Sequence, residues 1–290
     1  MDTSLTNSQA EVHQAIRDRM DWSSLSAPAR LRALEIEGYA VLPRLLGAEL
    51  VETLREETSK LPTTAVDYSE HQRGCADLEW TDSLQVIELI ALPAMVDFLS
   101  TVLGDDLICT SAAYAFSGPG HPGIALHTDA QPYGSKIFGT QASSPCLVRV
   151  LYYLDDLTPE RSPFKVVPRS HLSLHRDGNP YQRYLSHDEE LMVLCPSGSA
   201  VVINQRVFHG NYPNFSPEPR RALAIAYRPA WARPIAKLPE HEAERVLRLP
   251  EHVRPFFRSP NTSGVDLDLP NRPDGMRRTA PGIAPSRWQD

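Results

Sequence analysis

The 290-residue chain is poor in cysteine: Cys75, Cys109, Cys146 and Cys195 are its four, and no CxxC pair occurs. That excludes a cysteine-built zinc module and argues against a disulfide framework, so a reducing, cytoplasmic setting is expected. A basic excess is also missing. Lys+Arg is 29 against Asp+Glu 36, a formal net charge of −7. Nucleic-acid binders usually carry a basic footprint and surface-anchored proteins a polybasic segment, so neither nucleic acid nor membrane is an expected partner. No run of about 18 apolar residues is present, which excludes an obvious bilayer-spanning helix. The opening MDTSLTNSQAEVHQAIRDRM lacks an apolar signal region. Internal repeats and low-complexity tracts are absent as well.

What is present falls into three stretches of one expected domain: a mostly helical cover over 1–105, a β-rich core over 106–230, and a proline-rich extension over 231–290. In the first stretch, 8–20 is polar with spaced apolar residues. Residues 27–37 carry Leu31, Leu34 and Ile36 near helical spacing, and Gly38 ends the helix as glycine often does. The apolar run 39–42, closed by Pro43, reads as a strand. Residues 47–61 read as a helix with Leu50, Val51, Leu54 and Leu61 on one side. A polar loop is expected to about Asp82, then two helices over 83–103 meeting at Pro93. Of the 26 prolines, ten fall from Pro229 onward. Proline fixes φ and removes a donor, so the extension should hold little beyond short helices, with 260–290 an extended strap.

Between Leu107 and Pro229, short apolar runs alternate with Gly, Pro, Asn and Asp. Strands are expected at 107–116, 123–129, 146–154, 164–167, 191–194, 199–204 and 221–228. Seven short strands at this spacing indicate a sandwich or barrel. The expected class is mainly β with flanking helices: a double-sheet jelly roll able to enclose a small molecule, with helices on one side.

Two segments carry chemistry. In Ala125-Leu-His127-Thr-Asp129 an imidazole and a carboxylate lie two apart near a strand end, where i and i+2 project to the same side. Alone, that pattern is common and has a bland reading as a His–Asp hydrogen bond. Val207-Phe-His209-Gly-Asn211 supplies a second imidazole, with Arg220 and Arg221 eleven and twelve residues on. Two histidines and one carboxylate on one face of an ion leave the other face open, the arrangement favoured by non-haem Fe(II) oxygenases. A nearby arginine suits a dicarboxylate through a bidentate, charge-assisted pair.

Taken in order, these segments resemble the phytanoyl-CoA dioxygenase family of Fe(II)/2-oxoglutarate oxygenases. Gly38-Tyr-Ala-Val-Leu-Pro is similar to its opening strand, and His127-Thr-Asp129 to its HxD pair. Leu151-Tyr-Tyr-Leu-Asp-Asp156 and Val166-Val-Pro-Arg-Ser-His171 are similar to its core strand and "PGSH" turn. His209-Gly-Asn-Tyr-Pro-Asn214 with Pro219-Arg-Arg-Ala222 is similar to its distal histidine and arginine. The likeness covers about residues 30–230. It implies His127, Asp129 and His209 as iron ligands, and Arg220 on the far carboxylate of 2-oxoglutarate, with O₂ as co-substrate. Asn211 stands where the family often has a hydroxyl residue near the cofactor. Of Arg220 and Arg221 only one can face the pocket, since strand neighbours point opposite ways; the other should be at the surface or paired with an acid. Arg161-Ser162 and Pro168-Arg169 replace the family's glycines around this turn, which implies a different turn conformation. Asp129 is retained where related halogenases have a small residue, so hydroxylation or another oxidation is implied.

The activity implied is hydroxylation of an unactivated C–H of a small molecule, in specialised metabolism, with release of succinate and CO₂. Desaturation, cyclisation and epimerisation are the alternatives within the family. A cupin-like isomerase or hydrolase, or a non-catalytic binding protein on the same scaffold, are those outside it. Geometry suggests substrate contacts at Arg149 and Tyr153 if their strand face looks into the barrel, with an exterior, acid-paired Arg149 the opposing reading. Tyr114, Tyr133 and Lys136 are further pocket candidates, and the loop after Asp129 is a candidate lid. His121 is read as structural, and His171 as a cap of its own turn.

Overall fold

The structure, a computed structural model, describes residues 9–129, 147–173, 180–182, 185–230, 232 and 237–262. Its smaller sheet runs β1 (Ile16–Arg17), β9 (Leu191–Val193), β8 (Phe164–Val167), β11 (Phe208–Asn211), β6 (Ile124–His127). The larger runs β2 (Tyr39–Leu42), β10 (Ala200–Asn204), β7 (Val148–Tyr153), β12 (Arg220–Pro229), β5 (Leu107–Ser117), β4 (Ser69–Cys75), β3 (Thr64–Val66). From β5 to β12 the chain passes back and forth between the two sheets. That winding is the double-stranded β-helix, and it brings residues distant in sequence onto one inner surface.

The faces of the larger sheet follow from strand alternation. Residues paired across antiparallel strands share a face. Ala222 pairs with Tyr153, Ala224 with Leu151 and Ala226 with Arg149 on the inner face. The outer face carries Leu223, Ile225, Val150 and Tyr152, all buried under helices. The alanines leave room on the inside; the large residues fill the outside. Each fully buried Leu, Ile or Val contributes roughly 1.5–3 kcal/mol.

The helical cover is made by α2 (Ala27–Glu37), α3 (Ala48–Ser59), α4 (Leu84–Glu88), a 3₁₀ turn at Leu89–Ala91 and α5 (Pro93–Leu103). Ser26 caps α2, its Oγ accepting from the Ala29 N–H at 3.4 Å, and Gly38 closes it at φ 86°. A side-chain cap of this kind is worth about 1 kcal/mol. Taken end to end, Leu84–Leu103 is long and apolar enough to cross a membrane by composition. Here Leu92 and Pro93 break it, and Val86, Ile90, Met95 and Leu99 bury themselves in the core. The Tyr227 hydroxyl of β12 donates to the Ile90 carbonyl at 2.9 Å, tying this cover to the sheet. Because β2 pairs with β10, a segment of the cover is itself the edge of the larger sheet.

Several expectations change. The polar loop before Asp82 contains the β3–β4 hairpin, which extends the larger sheet beside β5. Helical structure near the start ends at Gln14 in α1 (Gln9–Gln14), and Ile16–Arg17 pairs parallel with β9. Phe208–Asn211 is a strand although its residues show no apolar alternation. His171 does not cap its own turn: its Nε2 meets the Glu35 carbonyl of α2 at 2.9 Å. The turns lacking glycine keep a glycine-like backbone, with Ser162 at φ 44° and Arg169 at φ 64°. Side chains tolerate that region at a cost of about 1 kcal/mol each. Within the extension, the described part carries only α6 (Ala243–Arg248) and a short 3₁₀ turn whose Phe256 and Phe257 bury against the body; 263–290 lie outside the described residues.

Candidate metal centre

His127 ends β6 and pairs directly with His209 of β11, bringing the two rings to 4.4 Å between centroids. A register shift follows His209, and the next residue is Gly210. A Cβ there would stand 2.3 Å from the Ile124 carbonyl oxygen, so only glycine lets β11 close on β6 beside the two histidines. Beyond His127 the backbone leaves the ladder. The Asp129 N–H donates to the Gln205 carbonyl at 2.9 Å, which anchors Asp129 beside both rings.

The three side chains converge. Asp129 Oδ1 is 4.0 Å from His127 Nε2 and Oδ2 is 3.9 Å from His209 Nε2. One donor atom from each lies within 4.8 Å of the others. Each histidine turns its Nδ1 to a backbone carbonyl, His127 to Ala125 at 2.9 Å and His209 to Val207 at 3.0 Å. A carbonyl only accepts, so Nδ1 carries the proton and Nε2 presents its lone pair to the shared centre. Burial, and then the neighbouring His127, push His209 down to about 4, so its ring is neutral at neutral pH, as ligation demands. The donor set and its tautomers therefore fit a divalent ion bound on one face.

Deeper in the barrel lies Arg220, the first residue of β12. It is 2% exposed. Its Nη2 donates to Ser162 Oγ at 3.4 Å and its guanidinium stands 5.7 Å from the centre of the Tyr153 ring. Its Nε has no hydrogen-bond partner. No carboxylate among the described residues forms an ion pair with it. Burial lowers its pKa from the ordinary arginine value. His121 sits in the same region, 1% exposed, with neither ring nitrogen partnered. Burial, then the Arg220 charge, then His71, push it down to about 3. Buried polar groups left without partners cost about 1–3 kcal/mol each, so both groups call for partners beyond the described residues. Arg221 faces the other way and is paired with Asp155.

The remaining sequence candidates separate. Arg149 points inward, its Nε 3.2 Å from Asp129 Oδ2. Tyr153 is inward but fully buried beneath Arg220, so it shapes the arginine's surroundings and not the open mouth. Asn211 is buried, its Nδ2 donating weakly to the Ser162 and Pro163 carbonyls at 3.5 and 3.4 Å. Tyr114 corrects the expectation: it pairs with Leu223 on the outer face, and its hydroxyl meets Thr58 of α3, away from the metal cluster. The alternation of β5 decides this. Tyr133, Lys136 and the proposed lid lie outside the described residues. The sequence marks Ser162 only as a departure from the family's turn; only the fold brings its hydroxyl to Arg220.

Residues 34–222 match the family model described as phytanoyl-CoA dioxygenase (PhyH). Dioxygenase af480 of Aspergillus fumigatus is 26% identical over 179 residues, which is 59% of this chain and 52% of that protein. Dioxygenase trt7 of Aspergillus terreus is 26% identical over 135 residues, 46% of this chain and 44% of that protein. The chain thus spans about half the length of the curated relatives it matches. Among solved structures, HygX from Streptomyces hygroscopicus with nickel, 2-oxoglutarate and hygromycin B bound is similar at TM-score 0.59 and 20% identity. The match covers 74% of this chain and 93% of that one. The non-haem α-ketoglutarate-dependent carbocyclase SnoK from nogalamycin biosynthesis gives TM-score 0.58 and 21% identity, over 73% and 87%. At such identities the structural likeness shows a shared fold.

Proposed function

The chain belongs to the phytanoyl-CoA dioxygenase family, and from that premise we propose that it is an Fe(II)- and 2-oxoglutarate-dependent oxygenase hydroxylating a small molecule. The observation that carries this reading is the convergence of His127 Nε2, Asp129 and His209 Nε2 within 4.8 Å, in tautomers that free both lone pairs. His127, Asp129 and His209 would hold the iron. When bound, it would supply the redox chemistry by which O₂, the oxidant, gives one oxygen atom to the decarboxylating keto acid, yielding succinate and CO₂, and the other to an unactivated C–H.

The protein's own part is binding, orientation and exclusion of water. Arg220 grips the distal carboxylate of 2-oxoglutarate, a charge-assisted pair in a dry site that supplies the counter-ion its surroundings lack. Ser162 Oγ fixes one arm of that guanidinium, the Tyr153 ring forms its floor, and His121 offers an unpartnered ring nitrogen nearby. Asn211 lines the same chamber. Phe164, stacked 6.0 Å from His209, and the buried Val166 paired with His209 form apolar walls that keep solvent from the metal ligands. The small inner residues Ala224 and Ala226 leave the space in which a substrate fits.

Specialised metabolism is the setting this reading favours, since HygX and SnoK are named for antibiotic chemistry. The test is anaerobic loading with Fe(II) and 2-oxoglutarate, then exposure to O₂ across a panel of metabolites. Succinate released only with a particular metabolite is the expected result. Mass spectrometry of the product then separates a gain of one oxygen from the loss of two hydrogens or an unchanged mass. A protein that binds neither Fe(II) nor 2-oxoglutarate refutes the reading.

A further inference from the structure

We propose that Arg149 is a positioning residue that keeps Asp129 a one-oxygen ligand. This deepens the metal-site reading above and rests on it. Arg149 lies on the inner face of β7, opposite Ile203 of β10 and Ala226 of β12. The small Ala226 leaves its side chain free to lean across the barrel toward the smaller sheet. There its Nε meets Asp129 Oδ2 at 3.2 Å, joining the two sheets at the metal site. Asp129 is 11% exposed at its side chain and Arg149 33%; their contact is an ion pair, and among the described residues neither Oδ2 nor Nε makes a hydrogen bond. Oδ2 thus stands between the guanidinium at 3.2 Å and His209 Nε2 at 3.9 Å, while Oδ1 faces His127 Nε2 at 4.0 Å with no arginine beside it.

The consequence is one of counting. An octahedral ion held by three single-atom ligands keeps three positions open, enough for a chelating keto acid and for O₂. A carboxylate binding through both oxygens leaves two. By pairing with Oδ2, Arg149 would compete with its use as a second ligand atom and so preserve the third. The same guanidinium also sets a positive charge near the ion and so weakens its attraction to the site. Arg149 therefore has opposite effects on the metal and on the keto acid, a signature that a purely structural ion pair would not give. A lysine in its place keeps the charge but not the planar fork that holds one carboxylate oxygen.

Anaerobic calorimetric titration of wild type, Arg149→Gln and Arg149→Lys tests this. Each is titrated with Co(II), then with 2-oxoglutarate, while visible Co(II) absorption reports the coordination change and thermal melts report folding. For Arg149→Gln, Co(II) binding is expected to stay equal or tighten, while 2-oxoglutarate binds about tenfold or more weakly. Arg149→Lys should return Co(II) affinity to the wild-type value without restoring the keto-acid affinity. Both affinities unchanged in both variants would overturn the proposal. So would a joint loss of both affinities with a lowered melting point, which assigns Arg149 to the scaffold. If wild type itself bound neither Co(II) nor 2-oxoglutarate, the metal-site reading would fall and this inference with it.

Discussion

Arg220 and Arg221 are neighbours in one strand and meet opposite surroundings. Arg221 points outward to Asp155, which accepts from its Nε at 3.0 Å, its Nη2 at 2.8 Å and its backbone N–H at 2.8 Å. Asp155 is fully buried and also meets Arg55 of α3 at 3.2 Å and Arg161 at 3.3 Å. One carboxylate thus joins the sheet, the helical cover and a loop. Arg220 points inward and, among the described residues, has a hydroxyl and an aromatic ring but no ion-paired acid. Satisfied charge marks scaffold here, and charge that the protein leaves unsatisfied marks the site.

The most severe way to break that contrast is to delete a site residue and ask whether the scaffold responds. His209→Ala should lose stoichiometric metal binding in equilibrium dialysis, an affinity drop of at least about a hundredfold, while the metal-free protein melts as wild type does. Asp155→Asn should do the reverse. Removing a buried partner from three guanidiniums is expected to cost about 3 kcal/mol in urea unfolding, the lower end of the range because the arginines are partly exposed. The folded fraction should still bind 2-oxoglutarate. Arg220→Met should weaken 2-oxoglutarate binding about a hundredfold, close to 2.7 kcal/mol. It should leave stability equal or raise it by about 1 kcal/mol, because an apolar side chain replaces a buried cation without a carboxylate. A stability loss matching that of Asp155→Asn would dissolve the distinction.

The smallest effect concerns His121. Its folded pKa of about 3 lies below the free imidazole value of about 6.5. Between these values the unfolded chain takes up a proton that the folded one refuses. Stability is therefore full above about pH 6.5 and falls as pH drops toward 3, by roughly 1 kcal/mol per pH unit. Urea curves from about pH 7 to 5 should show a shallower decline in His121→Leu than in wild type. Among the described residues, the groups that bear on His121 are Arg220 and His71. An identical slope in the two proteins would exclude His121 as the titrating group.

Much of this was legible because it depends on period-two alternation. That rule put His127 with Asp129, split Arg220 from Arg221, and grouped Arg149 and Tyr153 on one face. Elements whose pattern is polar were not legible. Ser69–Cys75 reads as loop because SEHQRGC has no apolar alternation, yet it is a strand, since β5 offers it an edge. Phe208–Asn211 is a strand for the same reason, held between β6 and β8. Tyr114 illustrates the opposite error: proximity in sequence to the ligands suggested the pocket, and its register with Leu223 puts it under α3.

The amino-acid order determined the donor types, their spacing and which neighbours must face apart, because these follow from backbone geometry within a few residues. Only the tertiary structure decided which faces look inward. Strand pairing between distant segments set His209 against His127, gave Asp155 to Arg221 and left Arg220 without an ion-paired acid among the described residues. It also leaned Arg149 onto Asp129. Such partnerships depend on where strands cross between two sheets, which no local spacing encodes.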